Sequence, residues 1–366
     1  MRIIVVGAGI FGASTAYRLA SEGAEVLLVD EAHAGRATSA GAGIVNPWSS
    51  KHDEPAFTRL HTTAADYYLR LIAELEAAGV AETGYRTVGA LVLAADAAGL
   101  DEAEARIRPR AEGSRAVGTI RRVSAAEAKA MFPPLRDDRM ALHISGAARV
   151  EAVTIAAALV EMAKARGAEV RRGHVDLALK EGSVVATLDG KALEADRIVV
   201  TAGAWANQIQ KAIGAAIPVE PQRGQIVHIG LPGVDTSRWP VLVPQTSHYM
   251  LAFGDSRVVA GATRETGSGF DYRLTAGGQA EVLNFALELA PGLANGTHIE
   301  TRIGFRPFTH SMLPMIGGVS GLPNLMIGNG LGAGGLTMGP FAGHLLAQAT
   351  LGQIPDLDLA DYGVPA

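Results

Sequence analysis

The first thirty residues constrain the fold most, because they are typical of a strand, a glycine-rich turn, a helix and a second strand. The turn has the spacing Gly7-x-Gly9-x-x-Gly12, and the second strand ends at Asp30. In such a unit the first glycine allows a sharp turn, the second allows a pyrophosphate to approach the backbone, and the third allows the helix to pack on the sheet. The helix N-terminus offers its N–H groups and positive dipole end to phosphates. The pattern predicts a dinucleotide-binding α/β fold.

Asp30 argues against NADP as the dinucleotide but does not distinguish FAD from NAD. A carboxylate at the end of the second strand accepts hydrogen bonds from ribose hydroxyls, whereas it would repel the 2′-phosphate of NADP. The motif by itself fits both FAD and NAD, so this alternative stays open at this point.

Composition excludes several classes of function. The 366 residues carry a net charge of −5 and no block of Lys or Arg, which argues against a nucleic-acid partner. The absence of cysteine excludes disulfides, thiolate metal sites and cysteine nucleophiles. The histidines show no metal-ligand spacing, so no metal is predicted. Gly, Pro or charge interrupts each apolar run, so we predict no transmembrane segment and a cytoplasmic location.

The buried strands near residues 200 and 326 resemble members of the same parallel sheet as the first strand, and β-rich segments separate them. We therefore predict an interleaved architecture, in which a Rossmann-type domain comprises residues 1–80, 146–217 and 301–366. An α+β substrate-binding domain with an antiparallel sheet would comprise residues 81–145 and 218–300. Helical periodicity predicts helices over 56–80, 101–111, 124–131, 151–166, 277–289 and 340–350.

Four motifs together resemble the flavin-dependent amine oxidases of the D-amino-acid oxidase type, and glycine oxidase in particular. They are the turn at Gly7–Gly12, the segment Ala37–Ile44, Gly304-Phe305-Arg306-Pro307 with Leu313-Pro314-Met315-Ile316-Gly317, and the loop Gly328–Thr337. Pro221–Gln225 and Gly261–Glu265 also fit, so the resemblance covers essentially the whole chain. It is specific for the superfamily and much less specific for the substrate.

The resemblance implies FAD as the cofactor. Some relatives attach the flavin covalently through a cysteine or a histidine, but this chain has no cysteine and has Ala40 where that histidine would stand. We therefore predict non-covalent FAD. The residues that the resemblance places against FAD, many of them through the backbone alone, are Gly7, Gly9, Gly12, Asp30, Arg36, Thr38, Ser39, Ala42, Gly43, Val175, Gly203, Gly330, Gly332, Gly335, Leu336 and Thr337.

The resemblance also implies three residues around the substrate. Arg306 would hold a substrate carboxylate, since a forked guanidinium matches a carboxylate at two points; the alternative is a structural salt bridge. Tyr249 would reach the same carboxylate or cap the pocket; the alternative is a half-buried strand tyrosine with a satisfied hydroxyl. Ile44 would form an apolar wall near the flavin and the substrate.

One departure from the family bears on the substrate. Glycine oxidases tend to carry an arginine in the C-terminal loop, whereas no arginine follows Arg306 here. Together with the aliphatic Ile44, this departure favours a substrate that is bulkier or more apolar than glycine.

The expected reaction is oxidation of an amino acid or an N-substituted glycine. A hydride would pass from the α-carbon to flavin N5, and O2 would reoxidise the flavin to give H2O2. The alternatives are a D-amino-acid dehydrogenase that passes electrons to a quinone, a tRNA-modifying enzyme of this fold, an NAD-dependent dehydrogenase and a flavin-binding protein without turnover. The expected partners are a small amine and O2 or another electron acceptor, and no pattern indicates an oligomeric state.

Overall fold

The computed structural model describes residues 1–214 and 216–365 of the chain. The helices in this range are α1 Ile10–Ser21, α2 Pro55–Ala77, α3 Ala97–Ala111, α4 Ala125–Met131, α5 Ala152–Ala165, α6 Ala206–Ile213, α7 Ala276–Leu289 and α8 Gly335–Thr350. The first ten strands are β1 Arg2–Val6, β2 Glu25–Asp30, β3 Ile44–Val45, β4 Tyr85–Thr87, β5 Ala90–Ala94, β6 Ile120–Val123, β7 Met140–Ile144, β8 Ala148–Val150, β9 Glu169–Arg172 and β10 Val175–Lys180. The others are β11 Ser183–Leu188, β12 Lys191–Leu193, β13 Arg197–Val200, β14 Glu220–Gly230, β15 Val241–Val243, β16 Tyr249–Phe253, β17 Arg257–Gly261, β18 Thr297–Phe308, β19 Met315–Val319 and β20 Leu322–Asn329.

A six-stranded sheet with the order β19-β20-β13-β1-β2-β9 forms the first layer. Every neighbouring pair is parallel except β19 with β20, which is antiparallel at the edge. The run Ile3–Val6 is buried throughout, as expected for a parallel strand that is covered on both faces. The predicted α/β fold with a parallel sheet and an initial βαβ unit is confirmed.

An eight-stranded sheet with the order β18-β14-β17-β16-β15-β5-β7-β6 forms the second layer. Its pairs are antiparallel except β15 with β5. Strands β14 and β18 pair along nearly their whole length, from Glu220 opposite Phe308 to Gly230 opposite Thr297. This long ribbon extends from the second layer toward the first and carries Arg306. Two small sheets complete the architecture, with the orders β10-β11-β12 and β3-β8-β4.

The strands of the six-stranded sheet all come from the three segments that were predicted to form the Rossmann-type domain. The strands of the eight-stranded sheet come from the other two segments, except that the predicted boundary at 301 falls inside β18. We keep the two-domain division as a proposal and place the whole of β18 with the antiparallel sheet that it extends.

Two helices begin earlier than their sequence patterns indicate. Helix α3 begins at Ala97 because the Asp96 side chain caps it by accepting a hydrogen bond from the Gly99 N–H. Helix α8 begins at Gly335 and continues through Pro340, which lacks the N–H that would bond the Leu336 carbonyl. The Tyr68 hydroxyl donates to that carbonyl at 2.6 Å and so replaces the hydrogen bond that the proline cannot make.

Among the described residues, no helix combines the length and the apolar character that a membrane span needs.

Candidate active site

A cleft of about 440 Å³ opens at the carboxyl ends of the parallel strands, and we call it the main cleft. Val6, Asp30, Thr201 and Asn329, each at or just after the end of β1, β2, β13 or β20, line it. Ligands of open parallel sheets bind at this edge, so the topology alone marks the main cleft as the principal candidate site.

The glycine-rich turn lies at one end of the main cleft. Gly7 has φ +103° in a conformation that a side chain would strain, and it packs against the Thr201 backbone. A Cβ at Gly12 would lie 1.8 Å from the Gly7 carbonyl oxygen, so α1 can approach the turn only through a glycine. At Gly9 the nearest atom to such a Cβ is the Thr38 hydroxyl, at 3.3 Å, so the backbone there faces open space.

Asp30 organises the loop that follows β2. Its carboxylate accepts hydrogen bonds from the Ala8 N–H at 2.6 Å, the Ala32 N–H at 2.7 Å and the Arg36 guanidinium at 2.9 Å. It therefore joins the glycine turn to Arg36, in addition to the ribose contact that the sequence predicts.

These residues fit FAD. The open backbone at Gly9, the α1 N-terminus whose N-cap makes no side-chain hydrogen bond, and Arg36 supply room, N–H donors and a cation for a pyrophosphate. Thr38 lies beside them, and its hydroxyl accepts a hydrogen bond from the Ile10 N–H at 3.0 Å.

The predicted cofactor and substrate residues all line the main cleft except Gly12, Ser39 and Thr337. Gly12 acts behind the turn as a packing residue, and Ser39 lies in the adjoining turn with its N–H on the Arg36 carbonyl. The Thr337 hydroxyl donates to the Ile44 carbonyl at 2.9 Å and so fixes the wall residue Ile44. The individual assignments remain predictions.

Arg306 lies on β18 at the other end of the main cleft. Its guanidinium lies over Gly224 and donates to the Thr263 carbonyl at 3.1 Å. No carboxylate of the described chain lies within ion-pair distance of it, so it is not the structural salt bridge that was the alternative interpretation. Burial lowers the pKa of the Arg306 guanidinium, and the neighbouring Tyr249 hydroxyl opposes this effect. Because a desolvated cation without an anion is costly, the site favours an anionic ligand.

Tyr249 is the first residue of β16 and lies opposite Gly261 of β17. Its hydroxyl lies beside the Arg306 guanidinium, and burial raises the pKa of Tyr249, so the hydroxyl is a neutral donor. A Cβ at Gly261 would lie 2.8 Å from that hydroxyl, so this glycine makes room for the ring.

A second cavity of about 520 Å³ adjoins the main cleft and shares Ile44, Tyr249 and the loop 330–333 with it. We call it the cationic cavity, because Lys51, Arg106 and Arg264 line it and no Asp or Glu of the described residues does. His52, His61 and His248 line it as well. Burial lowers the pKa of His61 to about 3, so this imidazole is neutral at physiological pH.

The cationic cavity was not predicted from the amino-acid sequence. Its three cationic residues come from the loop before α2, from α3 and from the segment after β17, so no single local motif contains all of them. The available signal was Arg264, which stands inside the family-like segment Gly261–Glu265 without an assigned role. The sequence left open a substrate that is bulkier than glycine and one that is more apolar. The charged lining of the cationic cavity fits the first of these better than the second.

Replacing Gly224 with alanine is expected to lower kcat/KM about 10- to 100-fold while the protein still folds. The new Cβ would lie 2.5 Å from both terminal nitrogens of Arg306, and this flexible side chain can move where backbone could not. A displaced fork loses one or both charge-assisted hydrogen bonds to a carboxylate, at about 1.5–3 kcal/mol each. Steady-state kinetics with thermal unfolding measures both effects. Gly254→Ala, whose Cβ has its nearest neighbour at 3.6 Å, is the matched control; equal kinetics of the Gly224 and Gly254 variants would contradict the expectation.

Residues 2–349 match the family model described as DAO, FAD dependent oxidoreductase. The crystal structure of iminodiacetate oxidase from Chelativorans sp. BNC1 superposes with a TM-score of 0.97, at 53% identity, covering 99% of each chain. An uncharacterized oxidoreductase of Bacillus subtilis, YurR, is 47% identical over 98% of this chain and 97% of its own. Glycine oxidase of Pseudomonas aeruginosa is 32% identical over 99% of this chain and 98% of its own.

Proposed function

The chain belongs to the DAO family of FAD-dependent oxidoreductases, and on that basis we propose that it oxidises an amine that carries a carboxymethyl group on nitrogen. Membership confirms the resemblance, the enzyme class and FAD as cofactor. The glycine-rich turn alone left FAD and NAD open, and the family identifies FAD. The interpretations as an NAD-dependent dehydrogenase and as a non-catalytic flavin protein lose their support.

The observation that carries the proposal is the position of Arg306. It is a desolvated guanidinium that faces the main cleft without a carboxylate partner in the described chain, and the Tyr249 hydroxyl lies beside it. The pair offers a forked cation and a neutral donor to one carboxylate. Such an anchor fixes the position of the adjacent α-carbon, which lowers the entropic part of the barrier.

The protein's own residues also favour the reactive form of the amine. Arg264 acts electrostatically on Arg306, so two guanidinium groups lie at this end of the site, and such a pair disfavours a protonated amine beside it. Tyr249, whose pKa burial raises, is not a base at neutral pH. We therefore infer that the amine reacts with a free lone pair and that no side chain needs to remove a proton from carbon.

FAD, when bound, supplies the hydride acceptor at its N5 atom. As the α-carbon loses a hydride, the nitrogen lone pair forms a C=N bond, and water hydrolyses the resulting imine to an amine and a 2-oxo acid. We propose O2 as the final acceptor, with H2O2 as its product; the alternative acceptor is a quinone. The cytoplasmic location stays a prediction.

The relatives support an N-carboxymethyl amine. One similar protein is an iminodiacetate oxidase and another is a glycine oxidase. The substrates in both names have an amine nitrogen that carries a carboxymethyl group. The sequence-based doubt about glycine itself favours a larger member of this class.

Anaerobic mixing of the FAD-loaded protein with glycine, sarcosine, D-alanine and iminodiacetate tests the proposal. We expect loss of the visible flavin absorbance with at least one N-carboxymethyl amine, and no loss with D-alanine. Admission of air with a peroxide assay then distinguishes O2 from another acceptor. If none of the carboxylated amines bleached the flavin, the proposed reaction would be wrong.

A further inference from the structure

The cationic cavity lies next to the carboxylate anchor, and its three cations have no role in binding a first carboxylate. It shares Ile44, Tyr249 and the loop 330–333 with the main cleft, so a ligand held by Arg306 can extend into it. The chain as a whole is acidic, with 37 Asp and Glu against 32 Lys and Arg. The described lining of the cavity includes Lys51, Arg106 and Arg264 but no acidic residue, so its charge is opposite to the net charge of the chain.

Arg264 is the cation in this cavity that has no protein partner among the described residues, and its side chain is exposed. Lys51 donates to the Gln245 carbonyl at 2.7 Å, and Arg106 lies 3.5 Å from Glu102. Within the described parts of the chain, Arg264 makes neither a hydrogen bond nor an ion pair, although its charge acts on Tyr249, Arg306 and His52. An arginine kept free of carboxylates beside a substrate anchor is typical of an anion-binding role.

The backbone fixes where Arg264 lies relative to Arg306. The Arg306 guanidinium binds the carbonyl of Thr263, which directly precedes Arg264 in the chain. The hydroxyl of Thr263 bonds the Glu265 carboxylate at 2.7 Å, and Glu265 pairs with Arg223. Because side chains alternate in extended backbone, Thr263 and Glu265 share one face and Arg264 points to the other, into the cationic cavity.

Arg110 holds the opposite wall in place. Its guanidinium donates to the carbonyls of Ser50 and His52 and pairs with Asp53 at 2.7 Å. These contacts fix the loop that brings Lys51 to the cavity. The backbone that carries each cation is thus fixed by the fold, whereas the Lys51 and Arg264 side chains themselves are exposed.

Polar side chains make up much of the cavity wall besides the cations. Four of its lining residues each contain a buried atom without a hydrogen-bond partner within the described chain: Asn46 Oδ1, His61 Nδ1, Arg106 Nε and Gln245 Nε2. Such buried groups are uncommon in folded proteins, so this wall is unusually polar for its degree of burial.

We propose that the cationic cavity binds a second carboxylate of the substrate, with Arg264 as its principal ligand, so that the enzyme prefers dicarboxylic secondary amines. The inference rests on the proposed function, because Arg306 must hold the first carboxylate. Lys51 adds a second positive charge to the cavity, and its volume of about 520 Å³ accommodates substrates longer than glycine.

The test compares one dicarboxylate and one monocarboxylate in each of two assays. Isothermal titration calorimetry of the FAD-loaded protein uses oxydiacetate and methoxyacetate, which carry oxygen in place of nitrogen and are not oxidised to imines. Kinetics use iminodiacetate and sarcosine. We expect Arg264→Gln to reduce the preference for oxydiacetate over methoxyacetate, and that for iminodiacetate over sarcosine, about 10- to 100-fold, the effect of one charged hydrogen-bonding group. Arg264→Lys should restore part of it.

Arg115→Gln is the matched control, because Arg115 is an exposed arginine outside both cavities. Unchanged preferences in Arg264→Gln, or equal losses for mono- and dicarboxylates, would overturn the inference. If iminodiacetate reduced the flavin while the preferences stayed unchanged, only the inference would fail. If no amine reduced the flavin but Arg264→Gln still lost its preference for oxydiacetate, only the proposed function would fail.

Discussion

Replacing Arg306 with glutamine is expected to lower kcat/KM for the carboxylated amine about 10²- to 10³-fold. Truncating one partner of a buried, hydrogen-bonded charge pair costs about 2–5 kcal/mol, and each 1.4 kcal/mol corresponds to a tenfold change. The guanidinium carries no ion pair within the described chain and donates mainly to the Thr263 carbonyl. The loss therefore concerns the ligand far more than the fold.

Arg306→Lys separates charge from geometry. A lysine keeps the positive charge but lacks the planar fork, so we expect an activity between those of the wild type and the glutamine variant. Arg302→Gln is the matched control, because Arg302 lies on the same strand, pairs with Glu300 at 2.6 Å and lines neither cavity. Flavin content should be equal in all three variants. A glutamine variant with wild-type kcat/KM would remove the basis of the proposed function.

Replacing Gly12 with alanine is expected to yield a colourless and destabilised protein. The new Cβ would lie 1.8 Å from the Gly7 carbonyl and 2.4 Å from the Thr201 hydroxyl, and the first of these is backbone. Helix α1 would have to move off the sheet, and overpacking of this kind costs about 3 kcal/mol or more. Because the same turn is predicted to hold the cofactor, the flavin absorbance of the purified protein and its urea midpoint should fall together.

Gly9→Ala distinguishes cofactor approach from folding. Its Cβ would meet only the Thr38 hydroxyl, at 3.3 Å, so we expect nearly normal stability of the FAD-free protein with weakened FAD binding. Gly277→Ala, at a helical position where a Cβ meets nothing within 4 Å, is the control for the substitution itself. If Gly12→Ala retained both flavin and stability, the packing role assigned to this glycine would be wrong.

Much of the fold was predictable because it rests on local rules. The helices predicted at 56–80 and 277–289 are α2, Pro55–Ala77, and α7, Ala276–Leu289. The starts of α3 and α8 were missed because a cap at Asp96 and a carbonyl bonded by Tyr68 lie outside the periodic pattern. Likewise the boundary predicted at 301 falls within β18, since strand length depends on the partner β14.

From the amino-acid sequence alone we could establish the βαβ unit and the glycine turn, because their steric demands act within about thirty residues of chain. The family resemblance was also visible there, because each of its four motifs is a short local segment. Only the tertiary structure showed which residues lie together at the proposed substrate end of the site. Tyr249, Arg264 and Arg306 come from β16, the segment after β17, and β18, and sheet register alone brings them together. The cations of the cationic cavity come from distant segments of the chain and follow no periodic sequence pattern. The cavity could therefore be identified only from the three-dimensional structure.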